Sequence, residues 1–520
     1  ANHGTVNLLS GGNSTDLIAG TGGLTLSGGG TIVLSNNANN RIYAVNGTTT
    51  LINLDNTIRG AGQIGANQLQ LDNRGLIESH LAGATLTLDP SGSGFLNSGT
   101  LQALKGGILT LTSGAFDNTG GTIRAQAGSA VHLQSATLTG GTFEVGATGS
   151  VTLDSSTISG GTFTGAASGT ITAAGGANTL GGAVVINAGT QLEISNNANL
   201  KLLATGTYAH NGAIALNSAG NLSDLIISGG NVTLDGTGTV TLGNNSNNRV
   251  YGLAAGDRLV LNSGITVGGA GQFGVGLMGV TNHGVIEATQ PATALVINPN
   301  SSGVANSGTL RATAGATLRL IDGTYDNSGG SITALDTSRV QFESATVSGG
   351  TLSTAGTGRL VNASASSYSG VTLSNSSVFD LNNNTSATFT GTFANEGTVN
   401  LLSVGNLADF IAGTGGATLQ GGGTIVLGNN SNNRIYGING STTLVNQNNT
   451  IRGVGQIGVN QLQLDNRGLI EASVAGGTLT LDTSGTSAVN PNNGTLQAVN
   501  GGILRIESSA INNSGGTLHA

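Results

Sequence analysis

The chain repeats itself at two scales, and this limits what it can fold into more than any single motif does. The segment that opens at Gly4 returns at Gly397 and, more loosely, at Gly212, while the run from Asn36 to Tyr43 returns from Asn244 and Asn429. These offsets of 208 and 185 residues divide the chain into three superunits, 1–208, 209–393 and 394–520. Inside them a shorter period runs. Gly120-Gly121-Thr122, Gly140-Gly141-Thr142 and Gly160-Gly161-Thr162 recur every 20 residues, as do Gly329-Gly330-Ser331 and Gly349-Gly350-Thr351. A unit this small cannot bury its own apolar face and must stack on its neighbours.

Between the glycines lie short alternating segments such as Leu86-Thr87-Leu88, Leu109-Thr110-Leu111, Val131-His132-Leu133 and Val151-Thr152-Leu153. Alternation of period two points Leu and Val to one side and Thr or His to the other, which is a half-buried strand. Left-handed Gly or Asn corners let the chain turn to the next face. Gly and β-branched residues interrupt every possible helical stripe. The sequence therefore predicts an all-β, right-handed parallel β-helix (β-solenoid) of about 20 residues per coil, running as a single elongated rod.

Composition agrees. The 520 residues include 90 Gly, no Trp and no Cys, with 3% aromatic and 8% charged residues, so large globular cores would be hard to fill. The 37% hydrophobic content is too high and too regular for a disordered chain. A net charge of −8 with scattered Arg and Lys offers no basic stripe, which argues against nucleic acid as a partner. Absent cysteine removes disulfides and thiolate sites. The opening Ala1-Asn2-His3-Gly4 and the lack of an 18-residue apolar run suggest a mature chain or an internal fragment.

Several motifs invite chemistry. Gly60-Ala61-Gly62-Gln63-Ile64-Gly65 is a GxGxxG string, repeated from Gly269 and from Gly453, with Glu78 downstream of the first. A dinucleotide site needs a helix after the last glycine, yet Gln68-Leu69-Gln70-Leu71 alternates as a strand, so the motif reads as a solenoid corner. Recurrent acids, Asp16, Asp224 and Asp409 in one set and Glu78, Glu287 and Glu471 in another, lie some ten coils apart. They read as turn caps or as partners of a nearby Arg. His3, His80, His132, His210, His283 and His519 never approach metal-ligand spacing. We therefore expect no catalytic residue, metal or cofactor, and the four prolines, Pro90, Pro291, Pro299 and Pro491, read as turn residues.

One cluster stands apart. Asn36 and Asn37 precede Arg41 and Tyr43; Asn244 and Asn245 precede Arg249 and Tyr251; Asn429 and Asn430 precede Arg434 and Tyr436. Its plain reading is a polar corner with left-handed Asn and amides bonded along the stack. Its functional reading is a recurrent surface loop for receptor binding or lateral packing, with Tyr and Arg as contacts.

Repeats of the type Asp117-Asn118-Thr119-Gly120-Gly121-Thr122-Ile123, Asn97-Ser98-Gly99-Thr100-Leu101 and Asp72-Asn73-Arg74-Gly75-Leu76-Ile77-Glu78 resemble those of the filamentous-haemagglutinin-like and autotransporter β-solenoid adhesins of Gram-negative bacteria. The resemblance implies export through an outer-membrane pore to an extracellular or cell-surface location. It implies contact with host or neighbouring cells, matrix or glycan, and self-association into fibres. The reading is a structural shaft of a secreted or surface fibre, not an enzyme. The alternatives are a homopolymeric extracellular filament subunit and a β-helical polysaccharide-processing enzyme.

Overall fold

The computed structural model describes residues 1–92, 94–205, 207–484 and 490–520. They fall into two compact units, Ala1–Val267 and Gly268–Ala520, each described by itself. Among the described residues every regular element is a strand. The boundary between the units does not coincide with a superunit boundary.

In the first unit most coils carry three short strands, and the longer strands Thr157–Gly165 and Ala177–Ile186 run through a corner to serve two faces. Leu76–Ser79, Thr85–Leu88 and Phe95–Asn97 make one coil, and Thr100–Ala103, Ile108–Thr112 and Ala115–Asp117 the next. Pairing is parallel and in register from coil to coil. One column runs Ile77, Leu101, Ile123 and Phe143, a second Leu86, Leu109, Val131 and Val151, a third Phe95, Phe116, Leu138 and Ile158. All twelve side chains are buried. Alternation along each strand sends these residues inward and Thr100, Thr122 and Thr142 outward, which is why equivalent residues stack.

The second unit follows the same plan. Ile286, Leu310, Ile332 and Leu352 form one inward column, and Val304, Tyr325, Val347 and Tyr368 another. A coil takes roughly 22 residues, somewhat more than the 20 read from the glycine spacing, because coils in the repeated Asn segments carry longer corners.

The corners depart from expectation in one respect. Left-handed conformation is supplied by serine as well as glycine: Ser113, Ser135 and Ser155 stack with φ of 52°, 51° and 53°. The proline reading also needs adjusting, since Pro491 lies in a short strand, Asn490–Pro491.

The interior holds a feature that turn chemistry did not anticipate. Asn53 Nδ2 donates to Asn73 Oδ1 at 2.8 Å, Asn73 to Asn97 at 2.7 Å, and Asn97 to Asn118 at 2.6 Å, all four side chains buried. The second unit has two such ladders, Asn282 to Asn306 to Asn327 and Asn446 to Asn466 to Asn492. Within a ladder the Nδ2 of one amide donates to the Oδ1 of the next at the spacing of the coils, while the Asn282 oxygen, at the head of its ladder, is buried without a partner.

Candidate functional site

The three Asn-Arg-Tyr segments adopt one geometry. Arg41 lies one coil beyond Asp16 in register, and its Nε and Nη2 donate to the two Asp16 oxygens at 2.8 and 2.7 Å. Arg249 grips Asp224 at 2.8 and 2.6 Å, and Arg434 grips Asp409 at the same distances. Such a planar, bidentate pair is the strongest form of carboxylate recognition a side chain offers. The guanidinium carbon lies 5.1, 5.0 and 4.9 Å from the ring centres of Tyr43, Tyr251 and Tyr436. Each tyrosine hydroxyl donates to the same aspartate, at 3.2, 3.5 and 3.2 Å. The hydrogen bond from Arg41 lowers the pKa of Asp16. Burial, then the aspartate charge, raises those of Tyr251 and Tyr436.

The asparagines beside them divide their work. Asn37, Asn245 and Asn430 accept from backbone N–H groups two residues on, forming the turn. Asn39, Asn247 and Asn432 donate to the carbonyls of Gly12, Gly220 and Gly405 one coil away. Asn40, Asn248 and Asn433 are fully buried and pin the corner from inside. Asn36, Asn244 and Asn429 are exposed in all three segments, and Asn39 is exposed in the first. None of these asparagines has a positive φ, so the left-handed geometry expected of this corner is not used; side-chain hydrogen bonds shape it instead.

The GxGxxG strings sit at strand bends. Gly60, Gly62 and Gly65 have φ of 131°, 138° and 109°, and a Cβ on any of them would overlap a carbonyl of an adjacent coil, those of Leu34, Asn40 and Asp89. Gly453, Gly455 and Gly458 repeat this against Leu427, Asn433 and Asp482. The glycines are there because two backbones touch.

The second set of acids is also absorbed by stacking. Glu78 accepts from Gln102, Glu287 from Arg311 and Glu471 from Gln497, each on a neighbouring coil. His210 is buried, its Nε2 2.9 Å from the Thr239 carbonyl and its Nδ1 without a partner; burial lowers its pKa. Among the described residues no three His, Asp or Glu side chains are grouped to hold a metal ion.

No model of a known protein family matches the chain, and no curated protein matches it either. Among solved structures it is similar to the crystal structure of the TibC-catalyzed hyper-glycosylated fragment of TibA. That similarity has 14% identity over 89% of this chain and 100% of the other, with a TM-score of 0.18. The β-solenoid class therefore rests on the strand register described above.

Proposed function

We propose that the chain is a structural shaft of a secreted or cell-surface bacterial fibre or adhesin, which holds attachment surfaces away from the cell and performs no catalysis. The observation that carries this reading is the residue-for-residue register of successive coils. Inward side chains are consumed by columns and ladders, and the recurrent charged groups are consumed by bonds between adjacent coils. What the sequence repeats is therefore a spacing, and spacing is the product of a shaft. Export through an outer-membrane pore and an extracellular location belong to the same proposal, supported by the resemblance of the Asp-Asn-x-Gly repeats.

The test is electron microscopy of the purified chain together with a bead-attachment assay on cells and matrix. Rods of uniform width, and retention of coated beads above uncoated ones, are expected. Compact particles would overturn the shaft, and absence of retention would overturn the adhesive role.

A further inference from the structure

The corner that follows each Asp-Arg-Tyr strand is built alike in the first and third superunits. Asn46-Gly47-Thr48-Thr49 returns 393 residues on as Asn439-Gly440-Ser441-Thr442. The middle superunit fills the aligned positions with Ala254-Ala255-Gly256-Asp257. Neither Gly47 nor Gly440 has a positive φ, and a Cβ on either would first meet a serine Cβ, at 3.3 and 3.5 Å. The backbone of this corner therefore demands neither the asparagine nor the glycine.

What the pair supplies is a reactive arrangement. Asn46 Oδ1 accepts three hydrogen bonds, from the Thr48 N–H at 3.1 Å, Thr48 Oγ1 at 2.8 Å and Thr49 Oγ1 at 3.1 Å. Asn439 Oδ1 accepts the same three from Ser441 and Thr442, at 3.0, 2.7 and 3.2 Å. Donors gathered on a carbonyl oxygen stabilise the oxyanion that forms when a nucleophile adds to its carbon. The bond to the Thr48 N–H closes a ring that runs through the Gly47 nitrogen, so a nucleophile is held inside the same turn. Among the described residues nothing accepts from the N–H of Gly47 or Gly440. Ser91 and Ser484 meanwhile fix the carbonyls of these glycines at 2.6 Å. Asn46 and Asn439 are exposed, which leaves Nδ2 open to water.

We propose that Asn46 and Asn439 are sites of self-modification, each converted through a cyclic succinimide into aspartate and isoaspartate. The glycine nitrogen loses its proton and bonds to the asparagine Cγ. The bond from Cγ to Nδ2 breaks, and Nδ2 leaves as ammonia with that proton. Water then opens the ring at either carbonyl, so the net change is water in and ammonia out, with nothing oxidised or reduced. Each conversion adds a negative charge, and the isoaspartate form inserts an extra carbon into the backbone beside the Ser91 or Ser484 clamp. A corner fixed between coils becomes one that loosens with age.

Three further Asn-Gly steps lack part of this arrangement. Asn211 Oδ1 takes two bonds from Thr237, but Gly212 is buried. The Gly494 N–H is taken by the Asn466 carbonyl, and among the described residues no hydrogen bond reaches the Asn500 side chain. The full chain is aged at neutral pH in heavy-oxygen water, which marks conversion before digestion, and its peptides are mapped by mass spectrometry. Isoaspartate is scored with an isoaspartyl methyltransferase. Asn46 and Asn439 are expected to convert about tenfold or more faster than Asn211, Asn493 and Asn500. In urea all five should convert alike. Thr48→Val with Thr49→Val removes two hydroxyl donors and should slow Asn46 about tenfold, with Asn439 of the same molecule as internal control. Were the hydroxyls mere scaffolding, their loss would free the turn and speed the reaction. Equal conversion of the five sites in the folded chain, the same order in urea, an undiminished rate in the valine variant, or aspartate without isoaspartate would each overturn the assignment.

Discussion

The first unit fills one inward position with the asparagine ladder from Asn53 to Asn118, and the second, which has ladders of its own, also gathers Tyr368, Phe379, Phe389 and Phe410 into a block of rings. Both place like on like over successive coils, but they tolerate error differently. The rings meet at interplanar angles from 10° between Phe389 and Phe410 to 76° between Tyr368 and Phe379, so each can tilt to suit its neighbours. The amides have less latitude: the donor and acceptor directions of each are fixed in the plane of the group, and a misplaced coil breaks its bonds to the amides above and below. The rings supply bulk cohesion; the amides specify register.

The sharpest break in the comparison is Phe389→Ala. It removes a ring that touches Tyr368, Phe393 and Phe410, and we expect a loss of about 3–5 kcal/mol, read as faster hydrogen exchange in the adjoining coils. Asn97→Ala should follow at about 2–4 kcal/mol, because it orphans the Asn73 amide and the Asn118 carbonyl together. Replacing Asn53, Asn73, Asn97 and Asn118 by Leu at once should cost less than the sum of four single alanine changes, since the three amide-to-amide bonds are then removed as a set and fewer polar groups are stranded, the Asn56 N–H that donates to Asn53 Oδ1 among them. Equality with that sum would show that the amides act one by one.

Asp409→Asn gives a smaller effect, about 1 kcal/mol, by removing the carboxylate under Arg434. The smallest is a pH effect. His210 occupies the position that Asn2 and Asn395 hold in the other superunits. Burial lowers its pKa below the ordinary 6.5, so it folds as the neutral ring. The unfolded chain then binds the proton first. Stability should be level above about pH 6.5, fall as the pH drops toward the folded pKa, and level off below it. Melting temperature against pH checks this, and His210→Asn should flatten the dependence.

Much of this was legible in the residues. Spacings of 20 to 23 between Leu86, Leu109, Val131 and Val151 are the register itself, and the alternation after Gly65 is the strand Gln70–Asn73. The partnership of Asp16 with Arg41 was foreshadowed by a 25-residue separation that recurs at Asp224 and Asp409. The ladders were missed because asparagine beside glycine reads as turn. A signal was present nonetheless: Asn73, Asn97 and Asn118 each fall two residues after an inward Leu71, Phe95 or Phe116, and period two carries them inside.

Parallel pairing between coils has a mechanical corollary. Hydrogen bonds that join one winding to the next point along the stacking direction, so a pull in that direction loads them in tension and not in shear. Windings would part singly, each yielding about 75 Å of slack from its roughly 22 residues. Under load such a tether would lengthen stepwise, as line leaves a spool, and dissipate work before any anchored contact at its surface had to let go.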